Sequence, residues 1–411
     1  MISNDKQANQ RKGMSFITVL LLCLIINGGL TFGSLNKVQA CPKQPAIYNL
    51  ERLKELRREN PQTNRQLRFF LQEADIIAKA KPITVMDKSK SFAENPHTYC
   101  SLSRYAWPSE KDPKLYVIRD GQTNPEWDSY DLPKLDLLSS RIKTLGTAYY
   151  ITKESKYYDA FCRQLRAWFL DENTYMEPNL EYAQVQPGKN NNKGMSYGLV
   201  DLNRFTPVIE SVFLVQSEKK LDRETRLGLE QWFAELLEWT LNSEQWENVG
   251  RGNNNIVAAL YVTLVEMARF TGDKETIERL SKEYKDRILD IQIDEEGKQP
   301  AELKRTIGFG YAVGNLNNII DFCLIMEQSG IHFYRDNQQK IDSAFEYLLQ
   351  FVGNHEAFPY QQIQGWEGYE VKLERNAGRL KRMSGGKSKI YDNARAVTTE
   401  PSNETVMNYV Y

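Results

Sequence analysis

The chain has 411 residues, 41% hydrophobic and 26% charged, with 53 Lys+Arg against 54 Asp+Glu and a formal net charge of -1. That length suits one large domain or two medium ones, and the composition is that of an ordinary globular protein. The balanced charge excludes a global field for gripping nucleic acid or an anionic membrane, so an anionic ligand would need local cations.

The first forty residues read as an export signal. Lys6, Arg11 and Lys12 form a basic start, Phe16 to Leu30 is mostly apolar, and Val38-Gln-Ala40 offers small residues to a signal peptidase. The expectation is a periplasmic or secreted protein with a mature domain over 41–411. Cys41 follows the cleavage point directly, which makes a lipid anchor there the alternative; the Gln in Val-Gln-Ala departs from a lipobox. No Pro/Gly/Ser linker splits the mature chain.

Five cysteines and three histidines carry little metal chemistry. None of Cys41, Cys100, Cys162 and Cys323 lies in a C-x-x-C spacing, and none of His97, His332 and His355 in H-E-x-x-H. No metal or cofactor is expected. A Cys41–Cys100 disulfide is one alternative in an oxidising compartment.

From the start of the mature chain, helices are predicted over 47–59 and 62–80. Residues 84–130 then carry Pro96, Pro108, Pro113 and Pro125 among scattered aromatics and read as loop. Leu135, Leu138, Ile142, Leu145 and Tyr149 recur at steps of three and four, one buried helix face. After Thr152-Lys-Glu-Ser155, Tyr158, Phe161, Leu165, Trp168 and Phe169 give a second helix, so the two form a hairpin. Residues 172–200, with Pro178 and Pro187, read as a second long loop of the kind that lines functional sites. Further helices are predicted over 205–217, 222–242, 255–271, 274–290, 312–329 and 337–352, with Asp222 as an N-cap and Gly272 as a C-cap. Ala148-Tyr-Tyr-Ile-Thr-Lys-Glu echoes Ala268-Arg-Phe-Thr-Gly-Asp-Lys, each closing one apolar helix before another. Repeated hairpins predict an all-α fold, an incomplete (α/α) toroid around a central cleft.

Two runs carry the chemistry. Gly252-Asn-Asn-Asn255 precedes an apolar helix, and three amides exceed what one N-cap needs. Glu302-Leu-Lys-Arg-Thr-Ile-Gly-Phe-Gly-Tyr311 sets Arg305 six residues before Tyr311, just ahead of another apolar helix. A cation beside a phenol suits removal of a proton next to a carboxylate.

Further stretches complete a set: His97-Thr-Tyr-Cys-Ser-Leu-Ser-Arg-Tyr-Ala-Trp-Pro108, Arg119-Asp-Gly-Gln-Thr-Asn-Pro-Glu126, Pro178-Asn-Leu-Glu-Tyr-Ala-Gln184, Gly198-Leu-Val-Asp201, Gln299-Pro-Ala-Glu-Leu-Lys-Arg-Thr306 and Phe358-Pro-Tyr-Gln-Gln-Ile363. In this order and spacing, over about residues 95 to 365, the chain resembles the alginate-lyase-like polysaccharide lyases, α/α toroids that cleave uronate polymers. The family's central motif is usually Asn-Asn-His, and Asn255 stands at the histidine's place here. A second arginine, usual just after Thr306, is Ile307.

The resemblance implies β-elimination on a 4-linked uronate such as glucuronan or alginate. Asn254 and Asn255 would offset charge on the C6 carboxylate, and Arg305 would clamp it or support Tyr311. Tyr311 would act as base and acid; a phenol ordinarily titrates near ~10, so a base at neutral pH needs a positive neighbour. His97, Tyr99, Tyr182, Gln184, Arg204 and Tyr360 are the expected substrate contacts, and the partner is an acidic polysaccharide. Two other functions fit such a chain: a catalytically silent uronan-binding protein on the same scaffold, or a toroid glycoside hydrolase using carboxylates such as Asp201 and Glu302.

Overall fold

The computed structural model describes residues 44–119, 121–363, 365–386 and 406–411. The signal segment and Cys41, with its anchor and disulfide alternatives, lie outside them. Cys100, Cys162 and Cys323 are free thiols.

Helices dominate. In chain order they are α1 (Leu50–Arg58), α2 (Arg65–Lys79), α3 (Leu132–Thr152), α4 (Ser155–Phe169), α5 (Phe205–Gln216), α6 (Arg223–Asn242), α7 (Glu244–Val249), α8 (Asn255–Thr271) and α9 (Lys274–Tyr284). After a π turn at Lys285–Leu289 come α10 (Asp290–Gln292), α11 (Pro300–Leu303), α12 (Gly308–Gln328), α13 (Phe333–Asp336), α14 (Gln338–Leu349) and α15 (Trp366–Met383). A short helix at Val406–Val410 ends the chain.

Sequence pattern decides which helices lie inside. α5, α8 and α12 are apolar around most of their circumference: α5 buries Phe205, Val208, Ile209, Val212, Phe213, Leu214 and Val215. A helix apolar on all sides must be surrounded. α9 buries only Ile277, Leu280, Ser281 and Tyr284, a single stripe, and lies outside. The inner helices follow one another, α3 on α5, α5 on α8 and α8 on α12, and α15 packs on α12. α4, α6, α9 and α14 back them from outside. This is the incomplete α/α toroid of helical hairpins.

The hairpins end as their sequences demand. Asp222 accepts from the Thr225 N–H at 2.9 Å and caps α6. Gly272 closes α8 in the left-handed conformation at φ 79°, and Lys153 closes α3 at φ 64°, the two corners of the echoed segments. Between layers, Phe169, Phe205, Trp232 and Phe233 form an aromatic knot with ring centroids 4.6 to 6.1 Å apart. Each such side chain stabilises the fold by roughly 1.5–3 kcal/mol of burial.

A charged cluster lies in the interior around Arg269. Arg269 bonds Glu210 at 2.9 Å and Glu266 at 2.6 Å. Glu210 also accepts from the Ala46 and Ile47 N–H groups at 2.8 and 2.6 Å, fixing the start of the domain to α5.

The long loops hold little regular structure. β1 (Cys100–Leu102) pairs parallel with β4 (Tyr182–Val185), and β2 (Ala106–Pro108) antiparallel with β3 (Tyr116–Ile118). A 3₁₀ segment, Ser196–Arg204, packs on both β4 and α8 and so ties this sheet to the inner ring.

Candidate active site

The start of α8 is built for exposed amides. Asn254 is the N-cap, its Oδ1 accepting from the Ile256 N–H at 3.2 Å. Its NH2 group makes no hydrogen bond among the described residues. Asn255, the first helical residue, is half-exposed, and its side chain makes no hydrogen bond among the described residues. The helix N-terminus adds partial positive charge at the same place.

Backbone bonds from three directions hold this pair. The Asn254 carbonyl accepts from Gln292 at 3.0 Å, the Asn255 N–H donates to Glu302 Oε1 at 2.8 Å, and the Asn255 carbonyl accepts from Asn318 at 3.3 Å. Gln292 Oε1 in turn accepts from Asn315 Nδ2 at 2.7 Å, which also reaches Gln299 Oε1 at 2.9 Å. Gln299 donates to the Ala312 carbonyl at 3.1 Å. A buried amide chain thus couples the start of α8 to α12.

Arg305 and Tyr311 stand on the adjoining wall. The Arg305 guanidinium donates to the Tyr311 hydroxyl at 3.2 Å, and its carbon lies 4.2 Å from the ring centroid. Arg305 is exposed and Tyr311 half-exposed, so the phenolic oxygen faces accessible space. The expectation that Tyr311 precedes its helix is corrected: it lies in the first turn of α12, which begins at Gly308. Tyr311, Asn315 and Asn318 share a face of α12 at spacings of four and three. Asn255's carbonyl therefore meets this helix about two turns, ~10 Å, beyond Tyr311.

Residues 358–363 brace this wall. Gly308 N–H donates to the Gln361 carbonyl at 2.8 Å, Gly310 N–H to Gln362 Oε1 at 3.2 Å, and Ile363 N–H to the Thr306 carbonyl at 3.2 Å. Tyr360, on this strap, is 37% exposed. Asn254, Asn255, Arg305, Tyr311 and Tyr360 thus belong to neighbouring segments.

The other expected contacts sit on the β1/β4 side. His97 is half-exposed, its Nδ1 2.6 Å from the Tyr175 carbonyl and its ring 4.5 Å from the Tyr175 ring. Tyr182 is half-exposed in β4. Arg204 is tied to Asp136 at 2.8 Å. Tyr99 and Gln184 depart from the expectation of substrate contact. Tyr99 is fully buried, its hydroxyl 3.0 Å from Asp201, and Gln184 is buried with its amide 2.8 Å from the same carboxylate. Ser101 completes the set at 2.8 Å. Both therefore support the wall from behind. Burial pushes the Asp201 carboxyl above the usual range, against Arg204 and the three donors. Gln184 holds a left-handed φ of 56°, which this clamp sustains.

The two-carboxylate alternative meets a correction here. Asp201 is fully buried with both oxygens bonded, and Glu302 is 1% exposed against α8. Neither presents an open acid to a glycosidic bond. Glu302, Gln292, Gln299, Asn315 and Asn318 form the support that sequence reasoning left out; the Gln299-Pro-Ala-Glu run was its only visible trace.

A family model described as alginate lyase matches residues 84–358. The crystal structure of an alginate lyase from Bacteroides ovatus is 31% identical, with a TM-score of 0.80 over 89% of this chain and 98% of that chain. Alginate lyase A1-III from Sphingomonas species A1 superposes with a TM-score of 0.52 at 14% identity, over 90% of this chain and 100% of that one. A tyrosine-to-phenylalanine variant of alginate lyase A1-III complexed with tetrasaccharide gives 0.55 at 14% identity, over 89% and 99%. At that identity the likeness is one of fold. No curated protein matches.

Proposed function

The chain belongs to the alginate lyase family and is a polysaccharide lyase, and we propose that it cleaves a 4-linked uronate polymer of the glucuronan or alginate type by β-elimination. The observation that carries this is the contact between Arg305 and Tyr311 on the wall next to the amide-bearing start of α8.

The chemistry has three demands. Charge on the C6 carboxylate must be offset so that the C5 proton can leave. Asn254 and Asn255, at a positive helix end, and the Arg305 guanidinium supply donors for it. Tyr311, reacting as the phenolate, takes the C5 proton on its oxygen, where Arg305 already donates. The C5–H electron pair becomes the C4=C5 double bond, the C4–O4 bond breaks, and the departing O4 takes a proton. With Asn255 in place of a histidine, Tyr311 returns that same proton to O4. One tyrosine serving both transfers implies syn elimination.

Substrate held against Arg305 would extend past Tyr360 on one side and toward His97, Tyr182 and Arg204 on the other. The silent-binder alternative keeps the same donors without proton transfer. Incubation with a panel of uronate polymers separates the two: elimination yields an unsaturated uronide absorbing in the ultraviolet, whereas binding alone yields none.

A further inference from the structure

Several helices here are capped by their own sequence. Asp222, Asp273, Asn64 and Ser243 each accept an N–H from a residue three further on. α8 too has its own cap in Asn254. Yet it receives a second acceptor from 47 residues away, Glu302 Oε1 on the Asn255 N–H at 2.8 Å. Glu302 is 1% exposed, and its other oxygen, Oε2, is buried without a hydrogen-bond partner among the described residues. Burying a carboxyl with one oxygen unsatisfied is costly. Asn254 caps only the Ile256 N–H; the Asn255 N–H is a separate donor at the helix start, and its acceptor comes from Glu302.

Glu302 also touches the opposite half of the site. Its carbonyl accepts from the Arg305 N–H at 3.1 Å, closing the turn that presents the guanidinium. A single residue therefore contacts the asparagine pair through its side chain and the arginine through its backbone.

We propose that Glu302 is a positioning residue, whose buried carboxyl fixes the separation between the Asn254–Asn255 amides and Arg305. The role rests on the elimination proposed above. What Asn255 needs is an acceptor of the right reach, and not a negative charge. A charge there would repel the substrate carboxylate that the same amides bind. Burial also pushes the Glu302 carboxyl above the usual carboxylate range, against the Asn255 hydrogen bond and the charges of Arg305 and Lys304, which favours the neutral acid.

The test compares Glu302→Gln with Glu302→Ala in the full chain. Gln keeps an oxygen for the Asn255 N–H and carries no charge; Ala removes the acceptor. Glu302→Ala is expected to lower kcat by about 10²-fold with KM changed far less, the scale of a roughly 1 Å misplacement. Glu302→Gln is expected to restore most of kcat. Hydrogen exchange of a peptide spanning residues 250–260 provides a readout independent of turnover: protection persists in wild type and Glu302→Gln and falls in Glu302→Ala. Full kcat in Glu302→Ala, or Glu302→Gln as impaired as Ala, overturns the role. If Glu302→Ala does not fold, kcat of Glu302→Gln alone decides, retention supporting the role and collapse refuting it. If wild type eliminates no polymer, the proposed reaction fails, while the exchange comparison still reads the latch.

Discussion

The Arg305 guanidinium covers the face of the Tyr311 ring and at the same time reaches its hydroxyl. Two contacts to one side chain fix the ring's orientation as well as supplying a donor at its oxygen. The planar guanidinium can make both contacts at once, lying over the ring while an N–H reaches the oxygen. Arg305→Lys keeps the charge and loses the stacked plane, so kcat should fall, and Arg305→Ala should fall further. Steady-state kinetics on the cleaved polymer checks this; equal activity of Arg305→Lys and wild type contradicts the stacked role.

Asn255 offers an amide that the fold itself does not use. Its structural ties run through its backbone, to Glu302 and Asn318. Asn255→Ala should therefore shift stability by no more than ~0.5 kcal/mol. It should nonetheless lower kcat by about 10²-fold, the usual loss on removing one donor from a developing anion. Asn255→His is expected to keep more activity than Ala. Thermal melts and kinetics together decide, and unchanged turnover in Asn255→Ala removes this side chain from the mechanism.

Two glycines on α12 should respond in opposite ways. A Cβ at Gly310 would stand 2.5 Å from two carbons of the Tyr369 ring and 2.9 Å from Ile307 Cγ2, whereas one at Gly314 meets nothing within 4 Å. Gly310→Ala should destabilise by ~1–3 kcal/mol through overpacking. It should also disturb the turn carrying Tyr311. Gly314→Ala should stabilise by ~0.5–1 kcal/mol, since alanine restricts the unfolded chain and favours helix. Denaturant midpoints of the pair check the contrast.

Stability should fall as pH rises across the neutral range. Burial, with the neighbouring Glu266 carboxylate, pushes Glu210 up to about 8, against the pull of Arg269 and the Ala46 N–H. The native state thus keeps a proton that the unfolded chain releases near ~4.3. This contribution is fully present below that value, is lost as pH climbs to about 8, and changes little beyond. The melting temperature of wild type should decline from about pH 5 to about pH 8, and that of Glu210→Gln should decline less. A flat or rising wild-type profile would contradict it.

Much of this architecture is legible in the sequence where pattern and capping agree. The bounds of α8 follow from Asn254 before it, Gly272 after it and apolar residues throughout. α15 escaped because Gly368 and Gly378 lower its helix propensity, and only Leu373, Asn376, Ala377, Arg379 and Leu380 are buried among many charges. The start of α12 was set too late because Gly308 and Gly310 read as loop. They are glycines for tertiary reasons: a Cβ at Gly308 would lie 2.4 Å from the Leu303 carbonyl. The site divides similarly. Arg305 and Tyr311 are six residues apart and their pairing is local. The burial of Tyr99 and Gln184 depends on Asp201, far along the chain for Tyr99, and motif position alone does not reveal it.

The most direct measurement follows ultraviolet absorbance of unsaturated uronide during incubation of glucuronan and alginate with wild type and Tyr311→Phe, with polymer binding recorded for both. Wild type should generate the signal on at least one polymer, and Tyr311→Phe should bind that polymer yet lose activity by about 10²–10⁴-fold, the range for removing a general acid–base. Undiminished elimination by Tyr311→Phe, or wild-type binding with no new double bond on any uronate polymer, would contradict the proposed chemistry.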